Sequence, residues 1–158
     1  MSTINVFRFE SQQLIPAPLD EVWNFFESTD HLLKLLPPSM GYQPVPPVPP
    51  RIEAGVILLA RVRGMLGNSV PYVTEFTHAE ARRFFVDEQR FGPFRFFQHR
   101  HSFQAVDKGT LMRDVVHCSL GMRPFEALLN RRVGMRMMEQ VFAHRRQKLV
   151  EIFGPEPQ

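Results

Sequence analysis

Between residues 56 and 119 the sequence falls into five strand-like runs, separated by turns too short to hold a crossover. The runs cover residues 56–62, 70–77, 82–89, 94–106 and 110–119. Gly64 with Gly67-Asn68, Gly92-Pro93 and Asp107-Lys108-Gly109 punctuate them as turn signals. Parallel neighbours need a connection of a dozen or more residues, so successive short turns impose an antiparallel meander. In the first run Val56, Leu58, Ala60 and Val62 share one face, opposite Arg61 and Arg63. A sheet with one apolar face must be covered, and the flanking segments supply the cover.

Before the meander, residues 4–15 alternate as a further strand, and Pro16-Ala17-Pro18 breaks it. Pro18 suits the first turn of a helix, where Asp20 and Glu21 favour the positive N-terminal end. Val22, Phe25 and Phe26, with Trp23 beside them, form one face of that short helix. Ser28-Thr29-Asp30 closes it and caps a second helix over residues 31–36, which Pro37-Pro38 ends. Seven of the fourteen prolines fall between Pro37 and Pro50. The stretch 44–50 favours polyproline II and is expected to form a stiff surface loop, with docking to a proline-reading partner as the lesser alternative. After the meander, residues 125–153 contain no proline, and Leu128, Met135, Met138, Phe142, Leu149 and Phe153 recur at roughly helical spacing. This predicts a helix of about 28 residues, roughly 42 Å long, able to cross a sheet from edge to edge. Arg131, Arg132, Arg136, Arg145, Arg146 and Lys148 are assigned to its solvated face. Gly154-Pro155 stops it.

Composition narrows the function classes. The single cysteine, Cys118, excludes an intrachain disulfide and a multi-thiolate metal site. The longest charge-free run, residues 35–50, is too proline-rich to span a membrane, and Arg8 and Glu10 interrupt the N-terminal residues where a secretory signal would lie. A single domain over residues 1–158, cytoplasmic, is the expectation. A net charge of +3 permits transient contact with an anionic membrane. Nucleic-acid binding is not expected, because no exposed aromatic platform alternates with the basic residues. Fifteen of the eighteen aromatics are Phe, so the interior is wide and apolar.

The opening Pro16-Ala17-Pro18-Leu19-Asp20-Glu21-Val22-Trp23-Asn24-Phe25-Phe26 and the following His31-Leu32 to Leu36-Pro37-Pro38 resemble signatures of the START-like superfamily, which includes polyketide cyclases, lipid-transfer START domains, pollen-allergen-like proteins and coenzyme Q-binding proteins. Phe85-Val86-Asp87-Glu88-Gln89, Gly92-Pro93-Phe94, His99-Arg100-His101-Ser102-Phe103 and Thr110-Leu111-Met112-Arg113-Asp114 resemble its bacterial cyclase/dehydrase-like subgroup. Tyr72 stands where this subgroup leads us to expect Trp, and Cys118 where it leads us to expect an aromatic residue. The resemblance implies an α+β helix-grip fold: a curved antiparallel sheet of six or seven strands around a long C-terminal helix, with a cavity between them.

The residues indicate which strand face looks into such a cavity. Arg100 and Arg113 fit a solvated face, since arginine is seldom buried unpaired, so Phe97, His99, His101 and Phe103 point inward, as do Met112 and Asp114. A two-residue turn at Asp107-Lys108 sets Phe103 opposite Met112 and His101 opposite Asp114. By the same parity Phe85, Asp87 and Gln89 face inward. The expected ligand-binding set is therefore Phe85, Asp87, Gln89, Phe97, His99, His101, Phe103, Met112, Asp114, Met135, Met138 and Phe142. The polar members have three readings: a hydrogen-bonded network fixing the sheet, an anchor for a mostly apolar ligand, or acid–base catalysts, with His99, His101, Asp114 and Asp87 as candidates. No metal and no cofactor are expected, because His-x-His beside carboxylates is the sole hint of a metal site. His31, His78, His117 and His144 are expected to be solvated. Gly134 is awkward in a helix interior and leaves room for close packing or a ligand. The function read from these features is binding or transport of a hydrophobic small molecule such as a lipid, quinone or polyketide-like compound. The alternatives are a cyclase/dehydratase-type enzyme and a non-enzymatic interaction module.

Overall fold

The computed structural model describes residues 6–64, 66–120 and 130–157. Its elements are β1 (Phe7–Ile15), α1 (Leu19–Glu27), α2 (Thr29–Lys34), a 3-10 turn (Pro38–Met40), β2 (Gln43–Pro44), β3 (Ile57–Arg63), β4 (Ser69–Glu80), β5 (Phe84–Phe91), β6 (Phe96–Val106), β7 (Gly109–Ser119), a π-helical turn (Asn130–Gly134) and α3 (Met135–Phe153). The seven strands form one sheet in the order β1-β7-β6-β5-β4-β3-β2, antiparallel at every pairing. This is the helix-grip architecture.

The meander follows from its turns. Asp107-Lys108 connects β6 to β7 as a two-residue loop between the paired Val106 and Gly109. The resulting register sets Phe103 against Met112 and His101 against Asp114, as the turn length predicts. A slip of one residue would send every side chain of a strand to the opposite face. With this register, Thr110, Met112, Asp114, Val116 and Cys118 of β7 are all buried.

The covering elements pack on one face of that sheet. Val22, Trp23 and Phe26 of α1 are buried. They join Phe76, Phe85, Phe103, Met112 and Leu149 in the main core. Trp23 meets Phe103 edge to face at 5.7 Å between ring centroids, a favoured aromatic geometry. A second cluster of Val116, Cys118, Met138 and Phe142 lies between β6, β7 and α3. No described helix is long and apolar enough to cross a membrane.

Three expectations are adjusted. The second helix begins at Thr29 and ends at Lys34, about two residues early. The proline-rich stretch is partly tied down: Pro44 pairs with Ala60 as β2, and the Val45 amide donates to the Leu59 carbonyl at 2.7 Å. The long C-terminal helix is α-helical from Met135 and is preceded by the π-helical turn. The part expected over 125–129 lies outside the described residues. Gly134 is explained by contact, because a Cβ there would lie 2.5 Å from two ring carbons of Phe7.

Gly109 is more constrained. Its φ of 138° and its position, where a Cβ would sit 2.2 Å from the Ile15 carbonyl oxygen, leave no space for a side chain. Gly109→Ala is therefore expected to lose well over the ~1 kcal/mol scale of ordinary Gly/Ala changes, read as a lower urea midpoint at unchanged slope.

Candidate functional site

A cavity of about 420 Å³ lies between the sheet, α3, α2 and the 3-10 turn. Its apolar wall includes Leu32 and Leu36, Met40, Phe76, Phe97, Met138, Val141 and Phe142. Asp87, His99, His101 and Arg145 make one polar patch on that wall.

The patch is built across three strands and the helix. Asp87 of β5 pairs with His99 of β6, and His101 of β6 pairs with Asp114 of β7. The two imidazoles are two residues apart, so they share a face, and their ring centroids are 3.7 Å apart. His101 Nε2 lies 2.9 Å from Asp87 Oδ2. On its other side, His101 Nδ1 lies 3.0 Å from Asp114 Oδ1. His99 Nε2 lies 2.9 Å from the same Asp114 oxygen, and His99 Nδ1 lies 3.7 Å from Asp87 Oδ2. From α3, Arg145 Nη1 approaches Asp114 Oδ1 at 3.3 Å. Arg145 Nη2 lies 3.0 Å from His101 Nδ1. Phe85 stacks on the His101 ring at 4.1 Å.

The electrostatics follow from burial and pairing. Burial works to raise the Asp114 carboxyl pKa, but the Arg145 charge and the hydrogen bonds from His101 and His99 outweigh it, so the group is held well below the usual range. Burial likewise opposes ionisation of Asp87, and its bond to His101 with the charges of both histidines more than offsets this. Burial lowers the His99 pKa, and the neighbouring His101 lowers it further, against the pull of Asp114 and Asp87. Burial, with Asp87 adding to it, raises the Tyr72 phenol. Burial pushes the Cys118 thiol up to about 12, consistent with an inert packing role.

Of the residues singled out in the sequence, Asp87, Phe97, His99, His101, Met138 and Phe142 line the cavity. Asp114 lies fully buried behind the histidines. Phe85, Phe103 and Met112 belong to the packed core adjoining the patch rather than to the cavity wall. Gln89 spans the β5–β6 turn instead: its amide donates to the Phe94 carbonyl at 2.7 Å and accepts from the Phe94 amide at 3.1 Å. Met135 is half-buried and off the wall. The lining stripe of α3 runs through Met138, Val141, Phe142 and Arg145, and one turn earlier it falls on Gly134.

Arg145 requires the largest correction. Assigned to solvent from its charge, it is 5% exposed and completes the polar cluster. The signal was present in its spacing, since Met138, Phe142, Arg145 and Leu149 follow one another at 4, 3 and 4 residues on one helical face. His31 is also not fully solvated: it is half-buried and stacks on Phe25 at 4.9 Å. His117 and His144 are half-buried as well, while His78 is exposed. Tyr72 and Thr74 on β4 complete the wall. Their face follows from the pairing of Thr74 with Gln89 and of Phe76 with Asp87 across β4 and β5.

A curved antiparallel sheet gripping a C-terminal helix around a cavity defines the class, and the sequence comparison agrees. The chain belongs to the polyketide cyclase/dehydrase and lipid transport family, whose model matches residues 6–153. No curated protein matches it. Among solved structures, a Staphylococcus aureus protein of unknown function, SA2116, superposes with a TM-score of 0.72 at 12% identity, covering 95% of this chain and 94% of that one. The di-domain ARO/CYC StfQ from the steffimycin biosynthetic pathway gives 0.65 at 11% identity, covering 94% of this chain and 51% of that one. Ara h 8.0201 gives 0.61 at 13% identity, over 93% and 99%. These likenesses establish the shared fold.

Two outcomes test the cluster. Arg145→Met leaves Asp114 buried without its guanidinium and is expected to cost about 3–5 kcal/mol, with much of the loss recovered by adding Asp114→Leu; urea denaturation of the three proteins measures both. The pH dependence has a definite sign. The folded state binds the His99 proton less readily than the unfolded chain, so stability falls as pH drops below about 6.5. It falls again below about pH 4, as the unfolded chain takes up the protons that Asp87 and Asp114 resist. Thermal melts from pH 7.5 to 3.5 should show both descents, and His99→Gln should remove the first.

Proposed function

We propose that the chain binds and carries a hydrophobic small molecule, a lipid, quinone or polyketide-like ring compound, in the cavity beneath α3. The observation that carries this reading is the wall itself: about 420 Å³ of space bounded mostly by aliphatic and aromatic side chains, with Asp87, His99, His101 and Arg145 gathered in one patch. Sites of this size with few polar groups fix a ligand's orientation through those groups and gain affinity from apolar burial. Family membership supports the same class of ligand. A hydroxyl or carbonyl of the cargo would meet His99 or Asp87, while its apolar body fills the space toward Leu32 and Met40.

A second reading, cyclase or dehydratase chemistry on a polyketide-like substrate, is favoured by one contact. Asp87 and His101 form a 2.9 Å carboxylate–imidazole pair on the cavity wall. Such a pair is suited to moving a proton at a substrate carbon or oxygen. Under that reading His101→Gln retains cargo and loses turnover, whereas a carrier shows no turnover to lose.

Native mass spectrometry of protein purified under mild conditions should show an apolar molecule retained at one equivalent. Met138→Trp places an indole in the cavity and is expected to weaken binding of an apolar fluorescent dye at least tenfold with little change in melting temperature. A solid interior would instead be overpacked at a cost of about 1–3 kcal/mol. A parent protein that binds no dye, together with a large loss of stability in the variant, would sink the carrier reading.

A further inference from the structure

We propose that His99, His101 and Asp87 form a binding site for one divalent first-row transition ion, such as zinc, iron(II), cobalt or nickel, on the wall of the cavity. The sequence reading expects no metal, because His-x-His beside acidic residues is a weak pattern. What changes the reading is how the three side chains are aimed. One nitrogen of each imidazole faces the same carboxylate oxygen: Asp87 Oδ2 is 2.9 Å from His101 Nε2 and 3.7 Å from His99 Nδ1. One donor atom from each of the three residues can be chosen so that all lie within 4.8 Å of one another. Donors about 2.1 Å from a common ion stand about 3.0 Å apart at a right angle and about 3.4 Å apart at a tetrahedral angle. The two Asp87 edges, 2.9 Å and 3.7 Å, lie within a few tenths of an ångström of those values, and an ion would draw together the two imidazole nitrogens, which are at most 4.8 Å apart.

The opposite nitrogens carry the second, independent observation. His99 Nε2 and His101 Nδ1 both face Asp114 Oδ1, at 2.9 Å and 3.0 Å. Histidines that bind a metal regularly donate their other N–H to a carboxylate, which fixes the tautomer and turns the free lone pair toward the ion. Arg145 Nη2, which can only donate, lies 3.0 Å from His101 Nδ1. The metal-bound form therefore requires His101 Nδ1–H to turn to Asp114 and Nε2 to give up the proton it shares with Asp87. With both rings donating to Asp114, both remaining lone pairs face the Asp87 oxygen. Three electron-rich atoms then converge, and a cation between them removes the repulsion. Arg145 does not fill that role, since its guanidinium approaches Asp114 and the Nδ1 side of His101, opposite the Nε2 that faces Asp87. Its guanidinium contacts the outer carboxylate, Asp114, and acts on Asp87 only at longer range.

Two imidazoles and a carboxylate without thiolate suit borderline divalent ions rather than calcium or copper(I). All three ligands line the cavity, so the open coordination positions of the ion would face the ligand space. The inference stands apart from the carrier reading, because it requires only these residues and no cargo.

The test is titration of untagged, chelator-stripped full-length protein with cobalt(II), followed by visible absorption and calorimetry. One equivalent should bind and produce ligand-field bands. Asp87→Asn should weaken binding at least a hundredfold, and Asp114→Asn by about 10–100-fold through loss of orientation. His117→Gln should leave affinity unchanged. Failure of the parent protein to take up cobalt overturns the proposal, as does uptake that survives Asp87→Asn and His99→Gln undiminished. Should Asp87→Asn not fold, proton NMR of the parent decides. Cobalt should shift or broaden the imidazole signals of His99 and His101; selective effects on His31, His78, His117 or His144 instead overturn it. Native mass spectrometry of the metal-free protein reads cargo retention separately, so the two readings fail independently.

Discussion

A carboxylate taken wholly out of water costs several kcal/mol unless charge and hydrogen bonds are returned to it, and Asp114 is in that position at 0% exposure. It sits near the middle of β7, between β1 and β6. The groups that compensate it come from β6 and α3: His99, His101 and Arg145. The lateral register of β6 on β7 and the seating of α3 on the sheet are therefore tied to a single side chain. Hydrophobic packing is non-directional and would accept α3 at several rotations. A guanidinium that must reach Asp114 selects among them. This gives the polar patch an architectural role whatever it binds.

The same arrangement accounts for where the space is. The main core, built on Trp23, Phe26, Phe76, Phe85 and Phe103, is filled with interlocked rings. Toward Met138 and Phe142 the helix is held to the sheet through a smaller cluster, and the polar patch stands between the two. The cavity lies beside that junction, walled by Phe76, Phe97 and Phe142 together with the Leu and Met side chains of α2, the 3-10 turn and α3.

Most of the fold was legible in the sequence because its strands alternate cleanly and its turns are short. The β6–β7 hairpin is the clearest case: a two-residue turn and the need to keep Arg100 and Arg113 in solvent together fix the register and hence the facing of His101 and Asp114. The site was legible only where strand parity governs it. Which nitrogen meets which carboxylate depends on ring rotation, which sequence does not encode locally. Asp87 meets His101 as well as its direct neighbour His99 because side chains lean along the sheet. Arg145 was hidden by the general rule that arginines are exposed, even though its spacing placed it on the apolar stripe of α3. Met135 was drawn into the site by extending that stripe one turn too far, whereas Gly134 occupies the position and lets Phe7 close in. The walls from α2 and the 3-10 turn rest on long-range docking, for which the proline-rich stretch offered no periodicity to read.

The short β2 has a consequence for the protein's behaviour in concentrated solution. An open sheet presents its outermost strand as a template on which another chain can pair. Here β3 carries exposed Ile57 and Leu59 on its outer face, next to that border. Pro44 occupies the last position of β2, and Pro46 and Pro47 follow Val45 with no amide hydrogen to offer. An incoming strand would meet a two-residue step and then a backbone that cannot continue the ladder. The prolines thus act as a terminator of strand addition at this edge, beside which the apolar side chains of Ile57 and Leu59 stay exposed.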